Sequence, residues 1–256
     1  RRGAEIAVVQ GDVGRRPGVL RVVAGIRAGY PPLRGVVHAA GVLSDSALLQ
    51  QTWERFETVF GPKVVGTWLL HELTEELDFL VMFSSGASVA GSAGQANHSA
   101  ANAFEDALAW FRQARGQPTL SINWGPWAEI GAAVDRQLSS RHFMGTIAPA
   151  DGLRALEWAM RRDPATGLFL EPQVAVLPAN WNRYLEQFEP GREPPLFESL
   201  VERKPADRAA AAATSEGAEK PLAARIAEAP PNRRRVVLRE FVKGRAVKVL
   251  GLRDSA

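Results

Sequence analysis

The sequence predicts an α/β chain: a doubly wound parallel sheet, truncated at its N-terminal side, then a flexible linker and a helical fragment. Three observations carry that expectation. Short apolar runs bounded by turn residues recur at 5–13, 33–41, 77–85 and 119–127. They are continuous rather than alternating, the pattern of strands buried on both faces. Stretches with helical spacing lie between them, and strand–helix alternation is what a parallel sheet requires. Around Pro190 the texture shifts to Pro, Ala, Glu and Ser without apolar periodicity, as in a linker.

Composition bounds the function classes. The chain has 256 residues, 46% hydrophobic and 23% charged, enough to bury a sizeable core in one large domain or one domain plus a small piece. It lacks cysteine, which excludes a disulfide framework and a thiolate metal site. A net charge of +3 does not point to nucleic acid. No 18-residue apolar run suggests a membrane span. A reducing, cytoplasmic setting fits, and no metal site is expected.

Taken in order, "RRGAEIAVVQGDV" reads as a helix end running into a strand over 5–13, with neither Met nor an apolar signal region ahead of it. That start looks cut from something larger. "LRGVVHAAG" at 33–41 gives a second strand. Residues 50–61 and 62–76 carry a pair of helices, and "LDFLVMFSS" at 77–85 a third strand. Residues 97–115 form a helix with Phe104, Leu108 and Phe111 at core spacing. "TLSINWGPW" at 119–127, a helical region at 151–162 and a last strand at 173–178 complete a domain over 1–189. The linker covers 190–218. Within 219–256, Val237, Phe241, Val242, Val249 and Leu250 are spaced as one amphipathic helix. A lone helix cannot bury its own face, so this piece reads as the opening of a further domain.

Open α/β sheets bind ligands beyond the carboxyl ends of their strands. Three runs end there in small or polar residues: "GDV", "HAAG" and "FSSGAS". In order with "HAAGVLSDSALL", "KVVGTWLLHEL", "GQANHSAANAFEDALA" and "SINWGPW", they resemble the ketoreductase domain of modular type I polyketide synthases. That domain belongs to the short-chain dehydrogenase/reductase superfamily and has a Rossmann-like sheet. The related domain of animal-type fatty acid synthase is close behind. The resemblance covers about residues 1–185, and 219–256 more loosely resemble the start of an acyl carrier protein domain.

The resemblance implies NADPH-dependent reduction of a β-ketoacyl thioester to a β-hydroxyacyl thioester. The substrate would ride on the phosphopantetheine arm of a carrier domain, one of several partner domains in the synthase. The attachment serine is not in this chain, because Ser255 follows the first carrier helix too closely. Asp12 is implied at the adenine end of NADPH. His38, Ala39, Ala40 and Gly41 would floor the nicotinamide ribose, and Asn123, Gly125 and Pro126 belong to the loop over the nicotinamide. Lys63 matches the active-site lysine, Ser85 the donor to the substrate carbonyl, and Asn102 the residue that holds the water and lysine network. Leu43 and Asp45 would orient the substrate. Hydride delivery to a ketone builds charge on oxygen, so donors must be aimed there and a positioned acid must supply a proton.

Two departures stand out. The family's tyrosine, thirteen residues after the serine, is here His98, and the chain's two tyrosines, Tyr30 and Tyr184, lie in other segments. No G-x-G-x-x-G precedes "GDV", which places the first two strands of the cofactor domain upstream of Arg1. The segment alone is then expected to bind NADPH weakly and to be inactive. Plainer readings stand beside these. His98 also fits an ordinary helix start, Ser85 a strand-end turn and Lys63 a solvated lysine. His38 and His71 fit structural roles, and Arg233–Arg235 a solvated helix face. A degenerate reductase kept as a structural domain is the rival class, against which Lys63, Ser85 and Asn102 all speak.

Leu43-Ser44-Asp45 stands where B-type reductases carry "LDD", and Ala90 where the opposite type carries tryptophan. A free histidine titrates near ~6.5 and a tyrosine near ~10, so a cationic His98 is the stronger acid. The charge of Lys63 should favour neutral imidazole, which still donates one hydrogen bond.

Overall fold

The computed structural model describes residues 3–74, 76–129, 143–188, 193–200 and 222–250. They fall into two units, Arg1–Pro178 and Ala179–Ala256, a division earlier in the chain than the composition change at 190. Among the described residues no helix is long and apolar enough to cross a membrane.

Four parallel strands frame the first unit: β1 (Gly35–His38), β2 (Phe79–Ser85), β3 (Thr119–Trp124) and β4 (Gln173–Val176). They lie side by side in the order β1-β2-β3-β4. Each falls inside an expected apolar run. The strand expected over 5–13 does not form, and Ile6 and Val8 are 85% and 95% exposed. A strand is held by the ladder bonds of a neighbour, and β1 pairs only with β2 among the described residues. Residues 5–13 have the composition of a strand and no partner.

The helix α1 (Arg16–Gly29), not singled out by the sequence reading, starts with Pro17 in its first turn and buries Val19 and Val23 beside Leu69. The two helices expected over 50–76 are one rod: α2 (Trp53–Phe60), a π-turn (Gly61–Val65) and α3 (Gly66–Leu73). In the π-turn the Gly66 N–H bonds to the Gly61 carbonyl, five residues back. Such single wide turns inside α-helices occur frequently at functional sites. A short α4 (Ala87–Ala90) leads to α5 (Ala96–Gln113), and α6 (Pro149–Ala159) follows β3.

Helices cover both faces of the sheet. Leu80 and Met82 of β2 pack with Leu108 and Ala109 of α5. Val81, Leu120, Ile122 and Trp124 pack on the other side with Ala159 of α6 and Phe169. The alternate residues of β3, Thr119, Ser121 and Asn123, are polar and fully buried. Arg112 Nε of α5 donates to Thr119 Oγ1 at 2.8 Å, and Ser121 Oγ donates to Asp106 of α5 at 2.6 Å.

The second unit holds α7 (Trp181–Leu185), a 3-10 turn (Pro195–Leu200), α8 (Leu222–Glu228) and α9 (Arg234–Leu250). Phe197 is buried, stacked on Trp181 at 5.1 Å and edge-on to Tyr184 at 5.0 Å. Within the expected linker, the turn at 195–200 is thus anchored by one aromatic side chain that finds a partner. Residues 190–192 and 201–218 of that linker lie outside the described residues. The amphipathic helix forms as α9 with Val237 and Phe241 half-buried, but it packs with α8 rather than standing alone. The side chains of Val249 and Leu250, and all of Ser255, are outside the described residues. Arg233, Arg234 and Arg235 are exposed.

Gly152 on α6 sits directly under the Trp127 ring, where an added methyl group would overlap the indole. Gly152→Ala should destabilise the unit by about 1–3 kcal/mol, the usual range for overpacking. Urea denaturation measures this, and an unchanged midpoint would show that Trp127 moves aside freely.

Candidate active site

The carboxyl end of β1 carries His38 and the small-residue turn through Gly41. The π-turn swings Lys63 toward it: a Cβ on Gly41 would come within 3.2 Å of Lys63 Cε. The Lys63 side chain is 6% exposed. Its ammonium donates to the Phe83 carbonyl of β2 at 2.8 Å and to Glu105 Oε2 of α5 at 2.9 Å. Thr67 of α3 donates to Glu105 Oε1 at 3.3 Å. His38 Nε2 lies 3.0 Å from the Pro62 carbonyl, which can only accept, so the ring proton sits on Nε2. The same nitrogen is 3.8 Å from Glu105 Oε1. Burial, helped by the Lys63 charge, lowers His38 to about 4. Burial pushes the Glu105 carboxyl up to about 7 against the pull of Lys63.

On α5, His98, Asn102 and Glu105 follow at four and three residues and share a face. Asn97 Oδ1 accepts the His98 backbone N–H at 2.8 Å, which fixes the start of the helix. Asn102 Nδ2 donates to the His98 carbonyl at 2.7 Å and lies 3.2 Å from His98 Nε2. Asn102 Oδ1 is buried with no hydrogen-bond partner among the described residues. Buried acceptors are nearly always satisfied, so this one is open to a water or a ligand.

Ser85 ends β2, and its hydroxyl accepts the Ala87 N–H at 3.2 Å, shaping the turn into α4. Leu43-Ser44-Asp45 forms a loop sewn to the turn before α5. Ser46 N–H bonds the Gly94 carbonyl at 2.8 Å, Asn97 Nδ2 the Ser44 carbonyl at 2.9 Å, and Gln95 Nε2 Asp45 Oδ1 at 3.2 Å. Arg55 of α2 adds a bond to the Asp45 carbonyl at 3.2 Å.

One residue sits differently from the place the resemblance implied. Asn123 is not in a loop. It is buried inside β3, with Nδ2 2.9 Å from both Asp106 oxygens and 2.8 Å from Ser88 Oγ, and with Oδ1 accepting from Gln173 at 3.0 Å. Gly125 and Pro126 do form the following loop, bonded to Val176 at 2.9 Å and Ile147 at 2.8 Å. Asp12 lies in an exposed turn, accepting the Gly14 N–H at 2.9 Å and pairing with Arg15 at 3.4 Å. His71 takes a structural place between the Trp68 and Phe111 rings, its Nδ1 accepting from Arg112 at 2.6 Å.

Sequence reasoning missed Glu105, Asp106, Asn97 and Arg55. No local pattern marks the two acids, whose partners sit on other elements.

The sequence profile of the KR domain matches residues 1–129. A Streptomyces orinoci spectinabilin polyketide synthase system protein, NorB, is 39% identical over 254 residues, which cover 96% of this chain and 11% of NorB. The mycoketide-CoA synthase of Mycobacterium tuberculosis is 36% identical over 260 residues, 97% of this chain and 6% of the synthase. The chain thus spans a small fraction of either protein's length. Among solved structures, the first-module ketoreductase of phoslactomycin biosynthesis in Streptomyces sp. HK803 superposes with a TM-score of 0.68 at 34% identity, covering 78% of this chain and 46% of that one. An A-type ketoreductase from a modular polyketide synthase gives 0.66 at 29%, covering 82% and 42%.

The two buried titrating groups pull stability in opposite directions. Glu105 keeps its proton to about 7 when folded and loses it near its ordinary 4.5 when unfolded, so its contribution falls as pH rises through that window. His38 stays neutral down to about 4 when folded but takes a proton below 6.5 when unfolded, so its contribution rises with pH between those values. Relative to the parent, Glu105→Gln should therefore give a Tm that climbs more steeply between pH 4.5 and 6.5, and His38→Asn one that declines. Calorimetric curves that stay parallel in all three proteins would contradict both assignments.

Proposed function

This chain belongs to the KR-domain family of modular polyketide synthases, and from that premise we propose that it carries the catalytic half of an NADPH-dependent reductase. The reaction is reduction of a carrier-bound β-ketoacyl thioester to the β-hydroxyacyl thioester. The observation that carries the reading is Lys63, buried against the Phe83 carbonyl beside the 38–41 turn, with the Asn102–His98 pair on the helix that also holds its counter-ion. A decayed site has no reason to keep a buried lysine so placed.

The residues present fit the nicotinamide-ribose end of the cofactor. The turn at 39–41 is small enough for close approach, and the open Asn102 Oδ1 is a buried acceptor for a ribose-bound water. When bound, NADPH supplies the hydride. Lys63 and Asn102 hold the ribose side. Ser85, at the carboxyl end of β2, donates to the ketone oxygen as charge builds there. His98 delivers the proton. Asp12 is assigned to the adenine end. Residues 219–256 open an acyl carrier domain, whose phosphopantetheine arm presents the substrate. The setting is cytoplasmic.

B-type stereochemistry is supported by Asp45, held over the start of α5 through Gln95, and by Ala90 where the opposite type has tryptophan. The backbone likeness to an A-type reductase does not weigh against this, because the discriminating positions are single side chains. One observation favours the structural rival, namely histidine in place of the acid.

In the full synthase polypeptide, assayed by NADPH consumption with a β-ketoacyl thioester, His98→Phe should cost on the order of 10²–10⁴ in rate, and His98→Tyr should keep or raise it. An inert parent with an active His98→Tyr would establish a disabled reductase instead. Asp45→Ala should erode the enantiomeric purity of the product by chiral chromatography. A parent that makes the opposite hydroxyl configuration refutes the B-type assignment.

A further inference from the structure

The face of α5 that carries His98 and Asn102 ends on a carboxylate. We propose that Glu105 is a positioning residue for the reduction, fixing the location of the Lys63 ammonium beside the 39–41 turn. This rests on the functional reading above and goes beyond it to a residue that the motif resemblance leaves without a role.

An ammonium has three N–H donors. Two of those of Lys63 are directed, one to the Phe83 carbonyl and one to Glu105, by groups on two different elements. The remaining N–H is left for a ligand. Glu105 is itself held, with Thr67 donating to its other oxygen from α3. The lysine stem has four rotatable bonds and would otherwise wander. Stability does not account for the acid. Buried ion pairs can often be replaced by apolar residues at no loss, whereas removing one partner strands the other charge. The other titratable groups acting on the pair are His38 from β1, on Lys63 and Glu105, and Asp106 on α5.

Lys63 is one of five lysines in the chain, so in carbon-13-labelled protein its Cε resonance is the one that Lys63→Arg removes. In the full chain, Glu105→Gln should shift that resonance and leave the other four unmoved. In the full synthase polypeptide the same variant should lose about 10–10²-fold in kcat, as a displaced catalytic group does, with KM for the thioester near that of the parent. Glu105→Leu serves if the glutamine variant does not fold. An unmoved Lys63 resonance overturns the proposal, as does a variant that reduces as fast as an active parent. A parent that reduces no thioester overturns the functional reading and the role in reduction with it, while the Lys63 resonance still decides whether Glu105 positions the ammonium.

Discussion

The placement of His98, Asn102 and Glu105 depends on how α5 is rotated against the sheet, and one buried carboxylate sets that rotation. Asp106 accepts from Ser88 Oγ at 2.6 Å, from Ser121 Oγ at 2.6 Å and from the Asn123 amide at 2.9 Å. A buried charge is tolerable only when its hydrogen-bonding capacity is met. Here the donors come from β3 and α4, so turning the helix would strand the charge. Consecutive residues on a helix point about 100° apart. With Asp106 locked into β3, Glu105 is aimed at Lys63, and Asn102 and His98 line up one and two turns before it.

The loops around the site are tied to the same helix end. Asn97 is fully buried, and its one side chain bonds the Ser44 carbonyl, the Arg55 carbonyl and the His98 N–H. The Leu43–Asp45 segment and the start of α5 with His98 thus share an anchor. Neither can shift without the other.

How much of this was legible follows from which contacts are local. β2 could be read from the sequence because a strand buried on both faces is apolar along its length. Residues 5–13 carry the same signature and form no strand, since pairing is a property of the neighbour and not of the segment. Thr119, Ser121 and Asn123 alternate with apolar residues as on a solvated strand, yet they are buried, because their partners sit on α5. Ordered motifs single out Lys63, His98 and Asn102 as candidates. Glu105 could not, because its burial is decided by a lysine 42 residues earlier in the chain. Phe197 hid in a stretch of linker composition for the same reason: one aromatic docking on Trp181 leaves no periodicity.

The π-turn at Gly61–Val65 makes the rod from Trp53 to Leu73 behave as a helix with one residue too many. Deleting a single residue there would restore an unbroken α ladder and a locally better helix. It would leave α2 and α3 in phase but remove the bulge that turns Lys63 toward Glu105 and Phe83. Fold and site therefore respond with opposite sign to the same length change. A one-residue gap at this point in a related sequence would mark a domain that has kept its architecture and given up its chemistry, even with every motif residue still in place.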